Sequence, residues 1–249
     1  MCLLALFFRV VEDAPVVVGA NREEVYRRGG EPPRLHDGPC RFVAGVDPVA
    51  GGTWLGVNEH GVLAAVTNRR KDRRPARPRS RGLLVRDLLG CRSAAAATEA
   101  AMRELNTDRY EGCNILCADA AGAAVIHGGD WLRVRPLPPG LHVLTNGDVN
   151  EGRDGRLKLA ACLLGEEGYR CRTSADCIQV LRQLCPRHEP GEPPICLHGD
   201  DHGTTSSTLV ALRGSPADGV YLHAQGPPDL TPYEDYSGLL GQMAGERPA

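Results

Sequence analysis

Apolar residues crowd the start of the chain. Residues 2–11 form an apolar run with β-branched and aromatic members, long for a strand yet too short to cross a membrane. Pro15 breaks the run, and residues 16–21 (Val-Val-Val-Gly-Ala-Asn) predict a second strand, so the chain opens on a hairpin. Residues 28–39 hold Gly29, Gly30, Pro32, Pro33, Gly38 and Pro39 and read as a loop. Strands over 52–57 and 62–67 flank an Asn58-Glu59-His60-Gly61 turn. A short helix is predicted over 82–89, and Ser93 caps an Ala-rich helix that ends near Asn106. Strands return over 114–118, 123–127, 131–135 and 142–145, followed by helices over 157–164 and 174–184, the second stopped by Pro186. Residues 208–212 and 219–223 close as strands. Grouped strands, grouped helices and then both again predict an α+β fold with antiparallel sheets, in a single domain spanning residues 1–249.

Composition narrows the function classes. A formal net charge of −2 argues against a general electrostatic nucleic-acid binder. No run approaches the roughly 18 apolar residues of a membrane span. No basic segment precedes MCLLALFF, and Arg9, Glu12 and Asp13 close it early, so it does not read as a secretion signal and a cytoplasmic protein is expected. Ten cysteines scatter irregularly without a tight CxxC pair, which in a reducing compartment predicts small buried hydrophobes and no disulfide framework.

Cys2 differs from the other nine. Met is normally trimmed before a small residue, which would leave Cys2 carrying both a thiol and a free α-amine. Their ordinary pKa values, about 8.5 and about 7.7–8.0, let the amine act as base for its own thiol near neutrality. The plainer reading is that Cys2 starts a buried strand.

The surrounding pattern adds weight to the first reading. MCLLALF, Gly19-Ala20-Asn21-Arg22-Glu23-Glu24, Gly51-Gly52-Thr53-Trp54-Leu55-Gly56-Val57-Asn58 with Gly61, Thr67-Asn68-Arg69, Ser80-Arg81-Gly82, Leu144-Thr145-Asn146 and Gly203-Thr204 leading into Ser207-Thr208 together resemble the NRDE family, also called the transport and Golgi organisation protein 2 family. The resemblance implies an N-terminal nucleophile hydrolase fold, a four-layer αββα sandwich of two antiparallel sheets between helices. It also implies kinship with choloylglycine and penicillin V acylases. By that resemblance Cys2 is the nucleophile and Arg22 the cation beside it. Glu23 would orient the α-amine, and Asn68 and Asn146 would stabilise an oxyanion or hold the amine. Asn21, Arg69, Arg81 and Thr205 are the corresponding ligand-binding candidates.

Two positions depart from the family pattern. Glu23 stands for the family's Asp and lengthens the arm by one methylene, and Thr205 stands where an Arg is usual. Two functions therefore stay open. One is a hydrolase cleaving a linear amide or related acyl bond through a Cys2 acyl-enzyme. The other is a binding or trafficking protein for a hydrophobic anionic ligand such as haem or a lipid.

Residues 69–81 hold eight basic side chains and one acid, Asp72, which reads as a solvated loop or as an anion-attracting rim beside the site. No aromatic residue interleaves them for base stacking, so no nucleic-acid partner is expected. His198-Gly199-Asp200-Asp201-His202 reads as a polar turn, and neither a metal nor a cofactor is expected. Each polar candidate also has a scaffold reading: Arg22 with Glu23 or Glu24 as an ion pair at a strand end, and Asn68 and Asn146 in turns.

Overall fold

The computed structural model describes residues 2–245, so the expected removal of Met1 falls outside the described residues. Two antiparallel sheets face one another. The first runs β10 (Gly140–Leu144), β1 (Leu3–Val11), β2 (Ala14–Val25), β11 (His202–Leu212), β12 (Val220–Ala224), β13 (Glu234–Asp235). The second runs in chain order: β3 (Glu31–His36), β4 (Phe42–Val46), β5 (Leu55–Asn58), β6 (Leu63–Asn68), β7 (Cys113–Ala118), β8 (Ala123–Gly128), β9 (Leu132–Pro136).

The apolar run at the start of the chain is continuous because β1 is covered on both faces. Leu4, Leu6 and Phe8 pack between the sheets against Val57, Leu63 and Leu116. Leu3, Ala5 and Phe7 face outward onto α3 (Gly155–Gly168) and α4 (Ser174–Leu184). On the far side, α1 (Arg81–Leu88) and α2 (Ala94–Leu105) bury Leu84, Leu88, Ala97 and Ala101 against the second sheet. The result is the four-layer αββα sandwich. A fifth helix, α5 (Ser237–Ala244), adds Leu240 and Met243 to the inter-sheet core. No described helix is long and apolar enough to cross a membrane.

The expected Ser93 cap forms, accepting from the Ala96 amide, and α4 starts on a capping box of Thr173 and Asp176 that the sequence reading did not single out. The loop expected over 28–39 instead contains β3. Its Pro32 and Pro33 are tolerated because β3 is an edge strand whose register slips between Glu31 and Arg34. Sequence patterning passes over β4 and α5. It also ends the second strand too early, at Asn21, whereas β2 continues to Val25 because β11 extends back to His202 and pairs with it. That extension puts Arg22 and Glu23 on a strand.

Candidate active site

Leu3 lies opposite Asn21 and Leu4 opposite Leu144. Continuing both registers sets Cys2 opposite Arg22 on one side and Asn146 on the other. Cys2, Arg22, Glu23, Asn68 and Arg81 line one pocket of about 80 Å³ together with Trp54. Residues far apart in sequence thus converge at the carboxyl-ward end of β6 and the start of β1.

Arg22 is buried and held from several directions. Its Nη1 donates to the Gly29 carbonyl at 2.8 Å and to Thr205 Oγ1 at 3.0 Å, and its guanidinium lies 4.5 Å from the centre of the Trp54 ring. Thr205 sits at the bulge where the β2–β11 register shifts and also donates to the Arg22 carbonyl at 3.2 Å. The residue that replaces the family's usual Arg therefore orients another arginine. Glu24 lies 3.9 Å from Arg22 and 3.6 Å from Arg28, and Arg28 forks onto Asp47 at 2.6 and 3.2 Å. Arg28, Asp47 and Trp54 are site residues that sequence reasoning misses.

Glu23 is buried in a bidentate pair with Arg156, whose Nη1 donates to Oε2 at 3.1 Å and whose Nη2 donates to Oε1. Arg156 also donates to the Pro194 and Ile195 carbonyls at 2.7 and 3.0 Å. Burial raises the Glu23 pKa despite the opposing pull of Arg156. Arg156 is the most consequential omission of the sequence reading, and a signal for it exists. Arg156, Ala160 and Leu164 share the buried face of α3 at four-residue spacing, so a cation stands on an apolar stripe.

The Cys2 thiol is half-buried. Burial first, and then the Glu23 carboxylate, push its pKa up, while Arg22 pulls it down.

Asn146 follows β10 in a turn built by neighbours. Asn114 donates to Thr67 Oγ1 and to the Thr145 and Gly147 carbonyls at 3.0–3.1 Å, and Thr67 donates to the Thr145 carbonyl at 2.6 Å. These bonds bring the Asn146 turn against the end of β6 that carries Asn68. His127 supports Asn114 by donating from Nδ1 to Oδ1 at 2.8 Å. Among the described residues the buried Oδ1 of Asn146 has no hydrogen-bond partner. Asn114 is another positioning residue not legible beforehand, since it reads as an ordinary strand residue.

Neither Asn21 nor Arg69 lines the pocket, although Asn21 neighbours Cys2 and Arg22 in a smaller cavity and Arg69 donates to Asn114 Oδ1 at 3.3 Å. Asn21 spends both amide hydrogens on the Cys185 and Ile195 carbonyls at 2.8 and 3.2 Å and accepts from Ser207 at 2.8 Å, so its side chain ties the sheet to the α4–β11 connection. Arg69 pairs with Asp148 at 2.8 Å, away from the pocket lining. Arg81 donates to the Gly112 carbonyl at 3.0 Å at the pocket edge. Several charges in the basic segment are answered nearby: Arg70 by Asp72, Lys71 by Asp108 and Arg79 by Asp87. Arg73, Arg74 and Arg77 are exposed.

Comparison with known proteins agrees with the architecture. A family description, Transport and Golgi organisation 2, matches residues 1–215. Transport and Golgi organization 2 homologs from Mus musculus and Homo sapiens are 30% and 29% identical over 141 residues, which is 53% of this chain and 50% of each relative. The chain thus aligns with about half the length of these relatives. Among solved structures, a Caenorhabditis elegans N-acylethanolamine-hydrolyzing acid amidase ortholog superposes with TM-score 0.57 at 17% identity, covering 84% of this chain and 92% of that one. Penicillin V acylase from Agrobacterium tumefaciens superposes with TM-score 0.56 at 17% identity, covering 96% and 88%. A variant of conjugated bile acid hydrolase from Clostridium perfringens gives TM-score 0.60 at 12% identity, covering 99% and 95%. At such identities the likeness establishes the fold, that of N-terminal nucleophile hydrolases.

Proposed function

Because the chain belongs to the Transport and Golgi organisation 2 family and carries the fold of N-terminal nucleophile amidases and acylases, we propose that it is an N-terminal cysteine hydrolase of linear amides or related acyl bonds. The supporting observation is convergence: Cys2, Arg22, Glu23 and Asn68 line one pocket, and the β1–β10 register sets Asn146 opposite Cys2. In this reading Met1 is removed and the Cys2 α-amine takes the thiol proton. The thiolate attacks the carbonyl carbon, and Asn68 or Asn146 donates to the oxyanion, an interaction worth about 2.7–4 kcal/mol. The amine then gives its proton to the leaving nitrogen, and a thioester remains on Cys2. Water activated by the same amine hydrolyses it. Glu23, fixed by Arg156, orients the amine, and the buried Asn146 Oδ1 offers the amine an acceptor. A pocket of about 80 Å³ seats the scissile group only, so the rest of the substrate lies outside it, and three arginines, Arg22, Arg28 and Arg81, are among the lining residues. The substrate class that follows is an acyl compound with an anionic end.

Intact mass before and after brief exposure to a substoichiometric thiol alkylator tests this directly. The expected outcome is a chain lacking Met1 with Cys2 modified ahead of the other cysteines. Acyl-amide hydrolysis shown by the wild type should then vanish in Cys2→Ala. Retention of Met1, or a Cys2 no more reactive than the rest, overturns the self-activated nucleophile.

One observation favours a second reading, a non-catalytic binding protein for a hydrophobic anion such as haem or a lipid: Thr205 stands where the family's Arg is usual, so the site has one cation fewer than the family pattern. That reading requires a Soret shift on titration with micromolar haem, or saturable lipid binding, unaffected by Cys2→Ala.

A further inference from the structure

The α4–β11 connection, residues 185–201, meets the segment after β12 in a cluster that the hydrolase reading does not use. His198 Nε2 lies 2.9 Å from Asp229 Oδ2, and His188 Nδ1 lies 3.7 Å from the same oxygen. Cys196 Sγ donates to Asp229 Oδ1 at 3.1 Å and stands 3.7 Å from His198 Nε2. The two imidazoles meet edge to face with centroids 5.1 Å apart.

We propose that His188, Cys196, His198 and Asp229 bind one divalent transition-metal ion, zinc in the first instance. Two imidazoles, a thiol and a carboxylate are the donor types zinc selects. With bonds of about 2.0–2.3 Å, the donor atoms of a tetrahedral zinc site stand about 3.3–3.6 Å apart. The separations of His198 and His188 from Asp229 Oδ2, 2.9 and 3.7 Å, bracket that edge, the donor atoms of these three residues all lie within 4.8 Å of one another, and Cys196 Sγ stands 3.7 Å from His198 as the fourth donor to be drawn in. An oxygen-only site for calcium or magnesium would not recruit these groups. Without a cation the Cys196 thiol keeps its proton, donating it to Asp229 Oδ1 at 3.1 Å. On binding, its proton passes to solvent and the thiolate becomes a ligand.

With four protein ligands the ion keeps no open position, so its role is structural. It pins the 185–201 connection beside the Ile195 carbonyl, which accepts from both Arg156 and Asn21. The adjacent pairing of the sequence does not form the cluster. His202 starts β11 opposite Val25, and His198 finds its partners across the loop.

Cobalt(II) chloride titrated into the full-length, metal-stripped protein tests the site. The expected result is one equivalent bound at micromolar concentration, with the intense visible bands of tetrahedral cobalt and a thiolate-to-cobalt charge-transfer band. Zinc chloride should displace the cobalt, and magnesium chloride should not. His198→Ala and His188→Ala alter side chains 37% and 51% exposed, so both should fold, and each should weaken binding at least tenfold. Cys196→Ser should remove the charge-transfer band, and zinc should raise the Tm of the wild type but not of His198→Ala. No uptake, a pale octahedral spectrum, or binding unchanged in both histidine variants overturns the site.

Discussion

Arg156 sits in the first turn of α3, where the positive end of the helix dipole opposes a cation by about 0.3–1 kcal/mol. Its place there makes sense with Glu23 as partner, and the pair offsets part of the cost of burying that carboxylate. Arg156→Met removes the bidentate partner of that carboxylate and is expected to cost about 3–5 kcal/mol in urea denaturation, with Glu23→Gln in the same chain recovering much of the loss. An equal loss in the single and double variants would show that Arg156 acts through packing alone. Asn114 makes a second, quieter contribution. Asn114→Ala takes the donor from the Gly147 carbonyl and leaves the Thr145 carbonyl to Thr67 alone, which predicts a loss of about 1–3 kcal/mol and a fall in kcat for any acyl-amide substrate larger than the change in KM. Neither partner is legible locally, because each acts across more than 30 residues of sequence.

At the scale of elements, the approach of α1 to the residues before β5 shapes the pocket wall. A side chain on Gly52 would place its Cβ 2.3 Å from the Gly82 carbonyl carbon, and the Thr53 amide donates to the Gly82 carbonyl at 3.0 Å. Gly52→Ala should therefore displace the first turn of α1, with Ser80 and Arg81, lowering the urea midpoint by the equivalent of about 1–3 kcal/mol. A variant as stable as the wild type, with unchanged Cys2 alkylation, would show that the turn gives way without affecting the pocket. Most strands and the first four helices can be read from the periodicity of their own residues. The exceptions share a cause. β3 contains two prolines that only an edge position tolerates, and the polar ends of β2 and β11 look like loops until each is seen to supply the other's ladder.

At the scale of the whole molecule, stability is tied to buried imidazoles, of which His127 in the second sheet and His223 in the first are shifted furthest. Burial holds His127 and His223 at about 4, against an ordinary value of 6.5. Because these folded-state values lie below the unfolded one, the unfolded chain takes up protons first as pH falls. Their contribution is therefore complete above about pH 6.5 and is lost progressively toward pH 4. Tm measured between pH 7.5 and 4 should fall over that interval, and His223→Gln should flatten the slope. A flat profile in the wild type would show that neither imidazole is protected from protonation. Opening there would also release Asn114 from His127, so the Asn146 turn and the inter-sheet core are expected to loosen together.

By itself the sequence determined the α+β order, the apolar first strand, the Ser93 cap and the polar candidates to set beside Cys2, because hydrophobic period and short motifs are properties of neighbouring residues. Tertiary structure alone decided which of those residues meet. It drew Asn68 and Arg81 to Cys2, withdrew Asn21 into a link between layers and turned Arg69 to Asp148. It also supplied Arg156 and Asn114 from other strands and helices. Sheet register and the packing of layers are set by contacts between distant segments, and a buried charge finds its partner only when those segments close around it.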